Sequence, residues 1–119
     1  RDEVVVMDME AGIEHLGRAT AQAVDKLIVV VEPGRRSIDT ARNIQRLASE
    51  IHLGSIGLVG NKVRGETDRA FFEKHLSDFE ILGYLPYDDR LIEADLNDQA
   101  PFETASPAVD EVKAIIERL

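Results

Sequence analysis

Five consecutive aliphatic residues, Leu27-Ile28-Val29-Val30-Val31, stop abruptly at Glu32-Pro33-Gly34. A run that is apolar at every position, not at every second one, suits a strand covered on both faces, as in a parallel sheet enclosed by helices. It is the longest unbroken apolar run in the chain, far short of the ~20 residues that a membrane-spanning helix needs. Three further runs stop in the same way, the first of them also apolar at every position. Val4-Val5-Val6-Met7 ends in Asp8, Ser55-Ile56-Gly57-Leu58-Val59-Gly60 ends in Asn61-Lys62, and Phe79-Glu80-Ile81-Leu82-Gly83-Tyr84-Leu85 ends in Pro86.

Amphipathic stretches lie between and after these runs. Over residues 37–51 the apolar set Ile38, Ala41, Ile44, Leu47, Ala48 and Ile51 forms one helical stripe, with Ser37 as the expected N-cap and Asp39 in the first turn. Shorter helices are predicted over 67–76 and 89–96. Ser106-Pro107 marks a last helix start, followed by the stripe Val109, Val112, Ile115, Ile116 and Leu119. Strands alternating with helices predict an α/β fold with a four-stranded parallel sheet and right-handed connections.

The chain has 119 residues, read as one domain over 1–119, with 14 Lys and Arg against 23 Asp and Glu and a net charge of −9. That balance disfavours nucleic acid as a partner, because binding it requires cations to replace phosphate counterions. No signal-peptide pattern precedes the first run, so a cytoplasmic, membrane-free protein is expected. Cysteine is absent, which removes disulfides, thiolate nucleophiles and cysteine metal ligands from the chain. His15, His52 and His75 are scattered without ligand spacing and read as surface or helix-end residues.

The chemistry-bearing residues sit where the runs end. An apolar strand closing on Asp8 can place a carboxylate in a Mg²⁺ shell beside a nucleotide phosphate; the same residue can equally just solvate a strand end. Gly12 has no Cβ to obstruct a phosphate. Asn61 offers a donor and an acceptor together, as a purine edge requires, or simply turns the chain. Pro86 makes a rigid loop suited to flanking a flat base, or an ordinary strand-to-helix turn.

In order, strand-Asp-x-x-Ala-Gly, strand-Glu-Pro-Gly, strand-Asn-Lys and strand-Pro resemble the second half of the deviant-Walker P-loop ATPases, the group of MinD, ParA and the nitrogenase iron protein. The stretches Asp8-Met9-Glu10-Ala11-Gly12-Ile13-Glu14-His15-Leu16-Gly17-Arg18 and Val30-Val31-Glu32-Pro33-Gly34-Arg35-Arg36-Ser37 are more similar to the CooC-type accessory ATPases that insert nickel into carbon monoxide dehydrogenase.

That resemblance implies a P-loop NTPase-like sheet with flanking helices, here without its N-terminal P-loop strand. It implies ATP and Mg²⁺ as cofactors, a nucleotide-dependent homodimer and carbon monoxide dehydrogenase as client. Asp8 would organise the Mg²⁺ shell through water, and Glu10, Ala11 and Gly12 would form the switch II segment. Asn61, Lys62 and Pro86 would hold the adenine side, and Glu14, His15 and Arg18 would couple nucleotide state to the dimer partner. Two parts of the family pattern are absent: no G-x-x-x-x-G-K-[ST] loop occurs, and no Cys-x-Cys pair. The expectation is therefore the C-terminal part of an ATPase, inactive alone, with nickel held only in a full-length dimer by residues not present here. In this fold the P-loop strand separates the Asp8 strand from the 26–31 strand, so its absence leaves two facing edges about 4.8 Å from where it would lie. The rival readings are a MinD/ParA-like positioning ATPase and a non-catalytic interaction domain of the same fold. Asp110, Glu111 and Glu117 make the last helix a poor lipid-seeking surface, against the first rival.

Overall fold

A computed structural model describes residues 4–7, 24–101 and 106–119. The expectations for Asp8, Glu10, Ala11, Gly12, Glu14, His15 and Arg18 lie outside these residues.

Three strands form one parallel sheet in the order β1 (Leu27–Val31), β2 (Ile56–Val63), β3 (Glu80–Pro86). Helices α1 (Arg35–Glu50) and α2 (Glu66–His75) make the crossovers, and α3 (Asp89–Leu96) and α4 (Pro107–Glu117) follow β3. The α/β class and parallel sheet are as the sequence predicts. The central strand is buried on both faces: Leu58 packs with Val29, Val31, Ile38, Ala41, Phe72 and Leu76, while Val59 packs with Leu82 and Ile115 on the other side.

The expected fourth strand is not formed. Residues 4–7 lie outside any strand, and Val4, Val5 and Val6 are 80%, 85% and 86% exposed. A parallel ladder needs a neighbour, and among the described residues β1 pairs with β2 alone. A second departure concerns the faces of β1. Continuous apolarity predicted that β1 would be covered on both faces, yet Ile28 and Val30 are 41% and 60% exposed, opposite the buried Val29 and Val31.

Helix ends differ in an instructive way. α1 begins two residues before Ser37, with Gly34 at φ 151° as its N-cap and no side-chain cap or acidic residue in the first turn. Ser37 instead accepts a hydrogen bond from the Glu32 backbone N–H at 3.1 Å, folding the Glu-Pro-Gly turn back onto the helix. At the far end His52, at φ 62°, occupies the left-handed position of a Schellman motif, with Leu53 N–H bonded to the Ala48 carbonyl at 2.8 Å and His52 N–H to that of Ser49 at 3.2 Å. Two helix starts match their signals: Asp88 caps α3, and Ser106 caps α4 through the Val109 N–H at 3.2 Å. Val109 and Ile115 are buried as expected on α4, whereas Ile116 on the helix and Leu119 just beyond it are exposed.

Away from the strand ends that carry the site, Arg42 ties α1 to the turn before β3. Its guanidinium donates to both carboxylate oxygens of Asp78, at 2.6 and 2.8 Å, and to the His75 carbonyl at the end of α2, at 2.7 Å. It also lies over the Phe79 ring, 5.2 Å from the centroid. The Arg42 hydrogen bonds hold the Asp78 carboxyl well below the usual carboxylate range, against the opposing effect of burial and with help from Gln45. A carboxyl depressed in the folded state stabilises fully above its unfolded value near ~3.9 and loses that contribution as pH falls through its folded value. The side chains are 40% and 52% exposed, so solvent screens the pair and its worth is about 1 kcal/mol. Asp78→Asn is expected to lower the urea-unfolding free energy by that amount at neutral pH. The difference from the unsubstituted protein should shrink as the pH is lowered below ~3.9; a pH-independent difference would show that the ion pair is not its source.

Candidate functional site

Because all three strands run parallel, their carboxyl ends share one edge of the sheet, where open α/β sheets bind ligands. That edge brings together Glu32, Asn61, Lys62 and the Pro86-Tyr87-Asp88 turn. β2 does not stop before Asn61-Lys62, as its apolar run implied, but continues to Val63. Gly60 pairs with Tyr84 and Val63 with Pro86, so three steps along β2 match two along β3. The extra residue is a β-bulge, which bends the strand and redirects its side chains. Lys62 adopts φ 55° within it, a left-handed conformation costing a non-glycine residue roughly 1 kcal/mol. Its ammonium lies 3.6 Å from a Glu32 carboxylate oxygen, linking the ends of β1 and β2.

Asn61 is half-buried, and among the described residues its amide makes no hydrogen bond. Both its donor and its acceptor remain available. Gly60, one residue earlier, is dictated by packing. A Cβ there would stand 2.8 Å from the Tyr84 ring and 3.0 Å from the Phe72 ring. Those rings stack 5.9 Å apart at 26°, and the Arg69 guanidinium lies 5.3 Å from the Tyr84 centroid. Burial, with the Glu73 charge, raises the Tyr84 phenol above its ordinary value against the pull of Arg69, and among the described residues its buried hydroxyl has no hydrogen-bond partner.

Pro86 closes β3. The next N–H, that of Tyr87, donates to the Val63 carbonyl at 2.9 Å and so joins the two strand ends beyond the bulge. Asp88 fixes the turn from the other side. Its carboxylate accepts from the Arg90 N–H at 3.0 Å and from the Ala108 N–H at 3.4 Å, so one side chain serves the starts of both α3 and α4. Burial would raise its pKa, but the hydrogen bonds from Arg90, Ala108 and Ser106, with the Arg90 charge, outweigh this and hold it below the ordinary value.

Between the two strand ends lies a hollow of about 500 Å³, lined among others by Arg64, Arg69, Tyr84, Pro86 and Tyr87. Arg64 lies over the Tyr87 ring, 5.8 Å from its centroid. Of the residues singled out from sequence, the structure thus gathers Asn61, Lys62 and Pro86 on one edge, with Pro86 lining the hollow. Arg64 and Arg69 were missed, and Tyr84 and Tyr87 entered only as neighbours of Pro86 in the segment expected to line the base. The signal that could have found two of them is positional, since Arg64 and Tyr87 each stand one residue past the end of adjacent strands. A smaller hollow of about 270 Å³ at the opposite end of the sheet, beside Gln45, Ser49 and Asp78, is bordered by the Arg42–Asp78 pair and carries no comparable set of groups. Among the described residues no group of three or more His, Asp or Glu could hold a metal ion, and no helix is long and apolar enough to cross a membrane.

Known proteins bear on this edge. No protein-family profile matches the chain. It is 38% identical over 118 residues to an uncharacterised ATP-binding protein of Methanocaldococcus jannaschii, covering 97% of this chain and 45% of that protein. It is 37% identical over 119 residues to the carbon monoxide dehydrogenase accessory protein CooC of Rhodospirillum rubrum, covering 100% of this chain and 45% of that protein. The MinD cell division protein of Aquifex aeolicus superposes with a TM-score of 0.72 at 22% identity, over 90% of this chain and 48% of that one, a likeness of fold. The chain spans about half the length of the curated relatives it matches. Along its whole length the chain is therefore similar in sequence to CooC and to an ATP-binding protein, and it has the P-loop NTPase-like fold seen in MinD.

Proposed function

We propose that these residues form the adenine side of an ATP-binding accessory ATPase of the CooC type, with nickel insertion into carbon monoxide dehydrogenase as its task. One observation carries the nucleotide reading. The Asn61 amide, unpartnered among the described residues, and the rigid Pro86-Tyr87 turn lie at the carboxyl ends of two adjacent parallel strands, on the same edge of the sheet. An amide with both functions unused matches the paired donor and acceptor of a purine edge, and a proline-stiffened turn joined to β2 through Val63 gives a flat ring a fixed wall. The bulge at Asn61-Lys62 fits the same use, since irregular backbone next to a site serves to aim a side chain.

In this reading ATP is bound with Mg²⁺. Asp8 orders the Mg²⁺ shell through water, and Glu10, Ala11 and Gly12 respond to the γ-phosphate. The phosphate cradle comes from sequence outside these 119 residues, because no Walker A loop occurs within them. Without its backbone N–H groups and lysine the transferring phosphoryl group lacks its main electrostatic clamp. The protein acts in the cytoplasm as a nucleotide-dependent homodimer. Nickel is bound between the protomers by cysteines that this chain does not have.

Two measurements test this. The 119 residues alone are expected to hydrolyse no ATP and to bind no Ni²⁺ tightly; steady-state turnover above background, or stoichiometric nickel uptake by this chain, would overturn the division of labour. In a polypeptide that also carries the Walker A segment, Asn61→Ala is expected to cost about 1–3 kcal/mol of ATP binding and to narrow the preference for ATP over a pyrimidine triphosphate. Unchanged selectivity would remove Asn61 from base recognition.

A further inference from the structure

We propose that Arg64, lying over Tyr87, forms a flat cationic wall on which the base of the bound nucleotide stacks, so that these two residues set affinity at the base end of the site. The inference rests on the adenine-side reading above; it adds Arg64, which that reading does not use, and gives the Tyr87 side chain a role of its own.

Position comes first. Arg64 follows the last residue of β2 and Tyr87 the last of β3, and the Tyr87 N–H bond to the Val63 carbonyl fixes the spacing of the two turns. The guanidinium and the ring are therefore presented together, 5.8 Å apart, at the mouth of a hollow whose volume of about 500 Å³ is that of a small-molecule site. Tyr87 is 49% exposed, which leaves ring surface to be covered.

Charge comes second. Carboxylates outnumber cations in this chain of net charge −9, and Lys26, Arg42, Arg46 and Lys62 each have one within ion-pair distance. Among the described residues neither Arg64 nor Arg69 has one within ion-pair distance; each lies instead over a tyrosine ring. A guanidinium held against one ring has its other face open to a second flat π-system, and base stacking on such surfaces tolerates any base. A free phosphate suits this place less well. Glu66 and Asp68 occupy the first turn of α2, the Asp68 carboxylate already accepts from the Arg64 backbone N–H at 2.9 Å, and Glu73 lies close enough to Tyr84 to raise its phenol. A neutral ring avoids that negative rim and still gains the cation.

The composition supplies a reporter. The chain has two tyrosines and no tryptophan, and both tyrosines line this hollow, so in Tyr84→Phe all tyrosine emission comes from Tyr87. Adenosine, which carries no phosphate, is titrated into the isotope-labelled chain while Tyr87 emission and the Asn61 and Arg64 side-chain N–H signals are followed. Saturable changes at all three are expected. Arg64→Ala and Tyr87→Leu should each weaken adenosine binding about five-fold, and Arg64→Lys should not restore it, because an ammonium is not planar. Amide signals away from the hollow establish that each variant keeps the fold. Ribose 5-phosphate producing the same changes as adenosine, or adenosine binding unaltered in both Arg64→Ala and Tyr87→Leu, would overturn the inference. Changes at Asn61 without changes at Arg64 or Tyr87 would overturn it and leave the adenine-side reading standing. No change at any of the three at millimolar adenosine would overturn both.

Discussion

β2 is the strand on which the other elements depend. Among the described residues it alone is hydrogen-bonded along both edges, and it is packed on both faces, so its register fixes where β1 and β3 end. Its glycines make this possible. At Gly57 a Cβ would run into Leu82, and at Gly60 into Tyr84 and Phe72. β3 returns the arrangement at Gly83, where Ile115 of α4 comes close enough to exclude a Cβ. Side chains from the neighbouring strand and the covering helices fill the space above these glycines, and the sheet stays thin where its two cores meet.

That packing reaches the candidate site directly. Phe72, fully buried on α2, stacks on Tyr84, and Tyr84 occupies the space that Gly60 leaves open. Asn61 is the next residue. The bulge that turns it therefore begins from a position held by aromatic packing, and it ends at Val63, whose carbonyl is held by Tyr87. Asp88 adds the third restraint by binding the starts of α3 and α4 with one carboxylate. Base recognition demands that a donor and an acceptor stay in place to within a few tenths of an ångström. If Asn61 reads a base as proposed, that demand falls on strand ends tied to each other and to the core, with little left to loop flexibility.

The sequence made some of this legible and hid the rest for physical reasons. Apolar runs, a Ser-Pro start and an Asp N-cap are local signals, and β1 to β3, α3 and the start of α4 follow them closely. The start of α1 does not, because Ser37 has a second use: its hydroxyl holds the Glu32 N–H of the preceding turn, and the helix begins at Gly34 without a side-chain cap. The bulge was invisible, since it arises from the pairing of two strands more than 20 residues apart and from no property of Asn61-Lys62 alone. The Arg64–Tyr87 and Arg69–Tyr84 pairs were hidden for the same reason. Each joins residues on different elements, and an arginine without an acidic partner is recognised only when its surroundings are known. Asn61, Lys62 and Pro86 could be placed on one edge because strand polarity alone decides which residues share it.

Residues 4–7 make the opposite case, in which a strong local signal produced no strand. Three valines and a methionine have high β propensity, yet propensity supplies no hydrogen-bond partner, and an extended segment without a ladder gains nothing for the entropy it gives up. β1 shows the complementary surface: an edge without a partner among the described residues, and Ile28 and Val30 exposed beside it. Both are apolar and edge-bearing, the kind of surface that soluble proteins cover or blunt. In the P-loop fold a single parallel strand between them would satisfy both edges at once, about 4.8 Å from each.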